Sequence, residues 1–278
     1  MAKGLPVLKR RISSIKATKK VTKAMELIAT TRLKTWKDIM AQTRQYTDAL
    51  LDIVRHHLTV TESQELPLFS ENEGMPSLHI VITSSLGLCG SYNYNVYKYV
   101  EANLPLEDEL IVIGEKGMRY YRQSGRRVRT GHVQLLKMDD ADIRHLAKFV
   151  YERFLEKAYA RVTVVYTRFI NSLQTVPESL TLLPLKATKA APITGYGPLI
   201  EPSVTEVLAN LVPFYLNNVI YAKLTESIVS EQSARRLAME KASDNADELI
   251  DELQLVFNKM RQAAITQEIA EILGGSGQ

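Results

Sequence analysis

Two stretches of the chain, one at each end, repeat apolar residues every three or four positions; the stretch between them does not. The first carries Leu5, Leu8, Ile12, Ile15, Val21, Met25, Ile28, Leu33, Trp36, Ile39, Thr43, Tyr46, Leu50, Ile53 and His57, with no Gly or Pro after Pro6. That period is helical. It predicts one helix of about fifty residues, roughly 75–80 Å long at 1.5 Å per residue. A helix of that length does not fit inside a compact domain of this size and is expected to project from it. The second stretch predicts a helix from near Val204 to about Leu273, roughly 100 Å long, with Pro213 kinking or breaking its first turns. Within it Ala242, Ala246, Leu249, Leu253, Val256, Met260 and Ala263 alternate steps of four and three, the spacing of a coiled-coil seam. Such a helix needs a partner, and the first stretch supplies one.

Between them the period changes. Residues 59–77 contain Pro67, Gly74 and Pro76 among polar residues and read as a linker. Short β-branched runs at 78–83, 109–114 and 161–166, with a further candidate at 180–185, alternate with helical segments near 92–103, 115–124 and 140–158. Residues 186–203, with Pro192, Gly195, Gly197, Pro198 and Pro202, read as loop. Strands alternating with helices predict an open, mostly parallel, Rossmann-like α/β sheet. The fold expected is a central α/β domain (59–203) between an N-terminal helix (1–58) and a C-terminal helix (204–278) that pair as an antiparallel coiled coil. The longer C-terminal helix overshoots its partner and ends in a single-helix tip.

Composition adds little to that picture, but charge adds more. The 278 residues are 45% hydrophobic and 24% charged, ordinary for a soluble protein. No apolar run approaches the roughly 18 residues of a membrane span. The formal net charge of +4 hides a separation. Residues 1–25 hold eight basic side chains and no acid, whereas residues 240–258 hold six acids and one lysine. The two helix ends are therefore complementary to each other or to partners. A basic, acid-free start also fits a mitochondrial transit peptide, but the helical pattern runs on to residue 57, past where a cleavable peptide would end.

Few residues suggest chemistry. The loop Ser84-Ser85-Leu86-Gly87-Leu88-Cys89-Gly90-Ser91-Tyr92-Asn93 follows the first strand and opens a helix, the setting in which backbone N–H groups cradle phosphate. It has two glycines and matches neither a dinucleotide fingerprint nor a P-loop. The strand that follows ends Val112-Ile113-Gly114, with no acid for a ribose. Cys89 is the only cysteine, so no internal disulfide forms. As a nucleophile it would need a base, and His79 is the nearest in sequence; a small buried thiol at a crowded turn is the simpler reading. The five histidines lack metal-ligand spacing. The basic N-terminal helix has no aromatic residue before Trp36 for nucleic-acid bases to stack on. An acidic protein surface suits it better. Arg261 and Gln262 stand beside the small Ala263 and Ala264, where a surrounding wall can approach and Arg can bind a carboxylate.

Three blocks together resemble one family. They are Leu8-Lys9-Arg10-Arg11-Ile12 with Val21-Thr22-Lys23-Ala24-Met25-Glu26, then Gly87-Leu88-Cys89-Gly90-Ser91-Tyr92-Asn93, then Ser230-Glu231-Gln232 through Arg261-Gln262-Ala263-Ala264-Ile265-Thr266-Gln267-Glu268. The chain resembles the gamma subunit of the rotary F-type ATP synthase, of bacterial type, over essentially its whole length. It departs from the family at Ser85-Leu86, where Asp and a basic residue are common, at Thr30-Thr31, and at Ser276. The resemblance implies a noncatalytic central shaft that couples ion-driven rotation of a c-subunit ring to conformational cycling of beta subunits. It implies alpha, beta, epsilon, delta and c subunits as partners, no cofactor of its own, and a peripheral position on the cytoplasmic face of the bacterial membrane. It assigns beta-subunit contacts to Lys9, Arg11, Lys20, Lys23, Met25, Arg261 and Gln262, and a c-ring foot to Tyr196 and Glu201. The single cysteine excludes the redox-active pair of the chloroplast form. The alternative kept open by the residues themselves is a nucleotide-binding α/β enzyme with coiled-coil arms.

Overall fold

The computed structural model describes residues 4–59, 67–129, 139–185 and 204–275. Their elements are α1 (Gly4–Thr59), β1 (Leu78–Ile82), α2 (Tyr92–Asn103), β2 (Glu109–Ile113), α3 (Glu115–Tyr121), β3 (Arg127–Arg129), α4 (Asp140–Leu155), β4 (Val162–Phe169), β5 (Thr175–Leu183) and α5 (Val204–Gly275), with a 3-10 turn at Pro67–Phe69. Two compact units form: Met1–Thr31 with Arg235–Gln278, and Arg32–Ala234. Helices α1 and α5 each supply a stretch to both.

In the larger unit the strand order is β3-β2-β1-β4-β5, with β5 antiparallel to β4 and the other pairs parallel. Alternation along the strands gives the sheet two apolar faces. Ile80, Ile82, Ile111, Ile113, Val162 and Val164 join a core with α4, Leu216, Ile220 and Trp36. Val81, Leu110, Val112 and Val165 point the other way, toward α2 and α3. Helices on both faces make this a doubly wound sheet.

Local chemistry sets the helix ends. Asp139 accepts from the Asp142 backbone N–H at 2.9 Å and Asp142 accepts from Asp139 N–H at 3.3 Å, a capping box opening α4. The buried Arg126 guanidinium donates to the Leu104 and Pro105 carbonyls at 3.0 and 2.8 Å and pairs with Glu101, covering the orphan carbonyls at the end of α2.

Strand β4 outruns its neighbour. Its pairing with β1 ends at Val81–Val165, yet β4 continues to Phe169. The freed edge would leave buried backbone groups unpaired, and α5 supplies partners. Thr167 N–H donates to Ser227 Oγ at 3.2 Å, Ser230 Oγ donates to Thr167 O at 2.9 Å, and Phe169 N–H donates to Glu226 at 3.3 Å. Ser233 donates to Ser172 O at 2.9 Å. Thr167 thus turns its backbone toward α5, and its partner across β5, Pro177, needs no N–H there.

Pro213 lies inside α5 without breaking it, so of the kink or break expected there the break does not form. In this unit the structure departs from the sequence expectations in three places. Strand β5 begins at Thr175, before the expected start, because an edge strand tolerates Pro177. The three-residue β3 was not expected; Arg-Val-Arg has no apolar run. Within the expected linker, Leu68 is buried in the core and its carbonyl accepts from Leu185 N–H at 2.8 Å. The loop expectation for residues 186–203 lies outside the described residues.

One close approach gives a prediction. Gly114 has φ +103°, and a Cβ there would lie 2.3 Å from the Thr83 carbonyl oxygen. Gly125 also has positive φ, at +76°, but has open space around it. Gly114→Ala should lower the unfolding free energy of the full chain in urea by about 3 kcal/mol. Gly125→Ala should cost about 1 kcal/mol. Equal losses would mean that the Thr83 contact is not what requires glycine.

Candidate functional site

The first place to test for a ligand is the crevice at the carboxyl ends of the strands, where the chain order reverses between β1 and β4. The loop 84–93 lies there, and it is stitched to itself. Asn93 accepts from Ser84 N–H at 3.0 Å and donates to Ser84 Oγ at 2.7 Å, and Ser84 Oγ donates to Leu86 O at 2.7 Å. Lys116 N–H donates to the Ser84 carbonyl at 3.1 Å. Tyr92 is buried and donates to the Ser227 carbonyl of α5 at 3.3 Å. The polar face of α5 that satisfies β4 thus also accepts from Tyr92 at the start of α2.

Cys89 is buried with Sγ 3.8 Å from Ser84 Oγ. His79 is engaged elsewhere: Nδ1 is 2.6 Å from the Thr163 hydroxyl and Nε2 is 2.9 Å from Asp108. With Nε2 protonated, the ring donates to Asp108 and accepts from Thr163. Asp108 also accepts from Ser77 N–H at 2.9 Å. His79 and Asp108 are only 4% and 6% exposed, so this dyad ties β1, β4 and the approach to β2 together out of reach of substrate. Burial pushes the imidazole below its ordinary value, against the opposing pull of Asp108. Among the described residues no group of His, Cys, Asp and Glu could hold a metal ion.

The other unit is a helix pair. Gly4 lies against Met260 Cε, Lys19 pairs with Asp247 at 2.5 Å, and the Thr22 and Ser243 hydroxyls are 2.8 Å apart. Numbers rise on α1 as they fall on α5, so the pair is antiparallel. Burial fixes the seam. On α1 it runs Leu5, Leu8, Ile12, Ile15, Lys19, Thr22, Glu26 and Ala29; on α5 it runs Met239, Ser243, Ala246, Ile250, Leu253, Phe257, Met260 and Ala264. This corrects the expected seam. Ala246, Leu253 and Met260 hold their places, but Leu249 and Val256 are 46% and 45% exposed, and Ile250 and Phe257 face the partner instead. On α1, Val21 and Ile28 are likewise outside the seam.

The two flanks of the pair differ in chemistry. Lys9, Lys16 and Lys23 each follow a seam position of α1, and Glu240, Asp247 and Arg261 do the same on α5. Lys23 is held above the ordinary lysine value first by Glu26 and further by Asp244 and Glu240. The other flank carries Arg11, Thr18 and Met25 on α1 and Leu249 and Val256 on α5, with Val21 and Ile28 exposed alongside.

Comparison with known proteins decides the family. A family model described as ATP synthase matches residues 4–277. The chain is 36% identical to the ATP synthase gamma chain of Mycoplasmopsis pulmonis, covering 98% of this chain and 99% of that one. It is 35% identical to the ATP synthase gamma chain of Heliobacterium modesticaldum, covering 98% of each. The chain belongs to the ATP synthase gamma-chain family. Solved structures share its fold. One is the rotor of the Euglena gracilis mitochondrial ATP synthase, with a TM-score of 0.68 at 18% identity, covering 95% of this chain and 100% of that one. Another is the central stalk and c-ring structure of the Tetrahymena thermophila mitochondrial ATP synthase, with a TM-score of 0.60 at 22% identity, covering 80% and 99%.

As a gamma chain this protein is a noncatalytic subunit. The residues expected to touch beta subunits all fall in the helix-pair unit. Lys9, Arg11, Lys20 and Lys23 are exposed and Met25 is half-buried. Arg261 and Gln262 are exposed next to Met260, at the level where α1 begins. Beyond them Ile265, Ile269 and Ile272 are 47, 52 and 70% exposed. Tyr196 and Glu201 lie outside the described residues. What sequence reading missed is the polar seam at Lys19 and Thr22, which an apolar period passes over.

The His79 site predicts a pH dependence. A histidine titrates near 6.5 when unfolded, and burial lowers the folded value. Its contribution is complete above pH 6.5 and falls below it, where the unfolded chain binds a proton that the folded chain refuses. The unfolding free energy of the full chain in urea should drop from pH 7 toward pH 5, by at most about 1.4 kcal/mol per pH unit from this group. His79→Gln should flatten that part of the slope. An unchanged slope would mean that the imidazole is not held neutral.

Proposed function

We propose that this chain is the central rotor shaft of an ATP synthase, turning inside a ring of alpha and beta subunits and standing on a ring of c subunits. The observation that carries the reading is the antiparallel helix pair with one flank of mixed charge and one richer in apolar residues. A round, uniform rod would interact alike with every subunit around it and could favour no state of any of them. A rod with two chemically different sides interacts differently with each subunit as it turns. Differential contact of that kind is the physical requirement for shifting a partner between discrete conformations.

In this reading ATP and magnesium belong to the surrounding ring, and rotation reaches it through side chains. Lys9, Arg11, Lys20 and Lys23 meet acidic surfaces of beta subunits, and Met25 sits beside an acidic lever. Arg261 and Gln262 engage a beta subunit at the other level of the pair. Epsilon and delta complete the set of partners. Tyr196 and Glu201 contact the c ring. The assembly places this chain at the cytoplasmic face of the bacterial membrane, as a peripheral protein; no described helix is long and apolar enough to cross it.

Exposed salt bridges contribute little, whereas an interfacial Arg anchored in a desolvated site costs about 2 kcal/mol or more when truncated. Arg261→Ala with Gln262→Ala should therefore reduce ATP-driven ion pumping by the purified, fully assembled complex while leaving the subunit composition intact. Full pumping by that variant would remove the assigned contact. Met25→Lys should also impair pumping; normal pumping would refute its placement by an acidic lever. Tight ATP binding by the isolated chain would favour the rival enzyme reading.

A further inference from the structure

The apolar seam of the helix pair is broken at one level. Leu5, Leu8, Ile12 and Ile15 precede the break on α1 and Ala29 follows it, with Lys19, Thr22 and Glu26 between. On α5 the same level holds Ser243, 4% exposed, between Met239 and Ala246. The Thr22 and Ser243 hydroxyls are 2.8 Å apart. Each also lies within reach of a carbonyl of its own helix, Lys19 O at 3.0 Å for Thr22 and Met239 O at 3.0 Å for Ser243. One hydroxyl donates across the gap and the other donates to its own helix, so both are satisfied.

A seam repeating every seven residues does not by itself exclude a slip of one heptad, roughly 10 Å along the axis. The charged flank does not prevent it. Lys9, Lys16 and Lys23 recur at seven-residue spacing, as do Glu240 and Asp247, so a slip exchanges one lysine for the next. The Thr22–Ser243 level is different. A slip in one direction sets Ser243 against Ile15, and in the other against Ala29. Either way its hydroxyl loses its partner across the pair, and Thr22 faces Ile250 or Arg236.

We propose that the Thr22–Ser243 pair, reinforced by Lys19–Asp247, is the register key of the helix pair. A buried polar group at one seam position is a device for selecting register, and here only one alignment lets the two hydroxyls bond to each other. The consequence is positional. The key sets the height of Arg261 and Gln262 on α5 relative to Lys9, Lys23 and Met25 on α1. The use made of that height rests on the function proposed above; the register itself does not.

The test reads register directly on the purified full chain, in a Cys89→Ala background. Ile15→Cys with Ile250→Cys reports the observed alignment. Ile15→Cys with Phe257→Cys, and Leu8→Cys with Ile250→Cys, report the two slips. With the key intact only the first pair should cross-link on oxidation. Adding Thr22→Val with Ser243→Ala should raise slipped cross-links about tenfold. Adding Thr22→Ser with Ser243→Thr, which exchanges the hydroxyls, should leave the intact pattern. Circular dichroism confirms that each variant is folded, and Ser243→Ala alone replaces the double change if that one is not. A folded variant without the hydroxyl pair that still forms only the Ile15–Ile250 link would overturn the proposal. So would slipping in the hydroxyl-exchange variant equal to that in the apolar one. Neither result depends on pumping, so failure of the key and failure of the shaft reading are separable.

Discussion

The contact between the polar face of α5 and the freed edge of β4 is the constraint on which the larger unit turns. Strand β4 runs four residues beyond its pairing with β1. Buried backbone at that edge must find partners. Ser227, Ser230 and Glu226 provide them, and their small size at Ser227 and Ser230 lets the helix lie close. The same stretch of α5 accepts from Tyr92 at the start of α2, so the strand extension and the loop after β1 are tied to one helix.

The helix pair is built on a different balance. Its seam is apolar at Ile12, Ile15, Ile250, Leu253 and Phe257 and polar at Lys19, Thr22 and Ser243. Apolar layers supply cohesion without selecting an alignment; the polar layer selects an alignment and supplies less cohesion. Charges outside the seam act over about 8 Å at physiological salt, enough to present one charged flank to whatever surrounds the pair. Stability and recognition thus reside in different residues of the same two helices.

Much of this was legible in the sequence, and the misses have physical causes. The two long helices, the α/β alternation and the antiparallel pairing follow from period changes at residues 59–77 and 186–203, and α2 was expected with its observed ends. The phase of the seam was not legible. Helix α5 carries apolar residues at two adjacent heptad positions, Leu249 and Val256 beside Ile250 and Phe257, and an apolar period fits both. Only the partner's position chooses between them. Lys19 and Thr22 were passed over for the converse reason: they are polar where the period wants an apolar residue. The short β3 and the Pro-containing start of β5 exist through pairing with neighbours, which no local pattern records. Arg261 and Gln262 stood out beside the small Ala263 and Ala264, resemblance gave them and Met25 a role, and the fold gathers all three into one unit.

The central claim is that this chain turns as an axle within its complex and does no chemistry itself. The most direct measurement fixes the assembled head to a surface, attaches a bead to a cysteine introduced at the exposed Ser91, and adds ATP. The bead should rotate continuously in one direction while ATP is hydrolysed, and stop when ATP is exhausted. A bead that stays still while the same complexes hydrolyse ATP at full rate would contradict that claim.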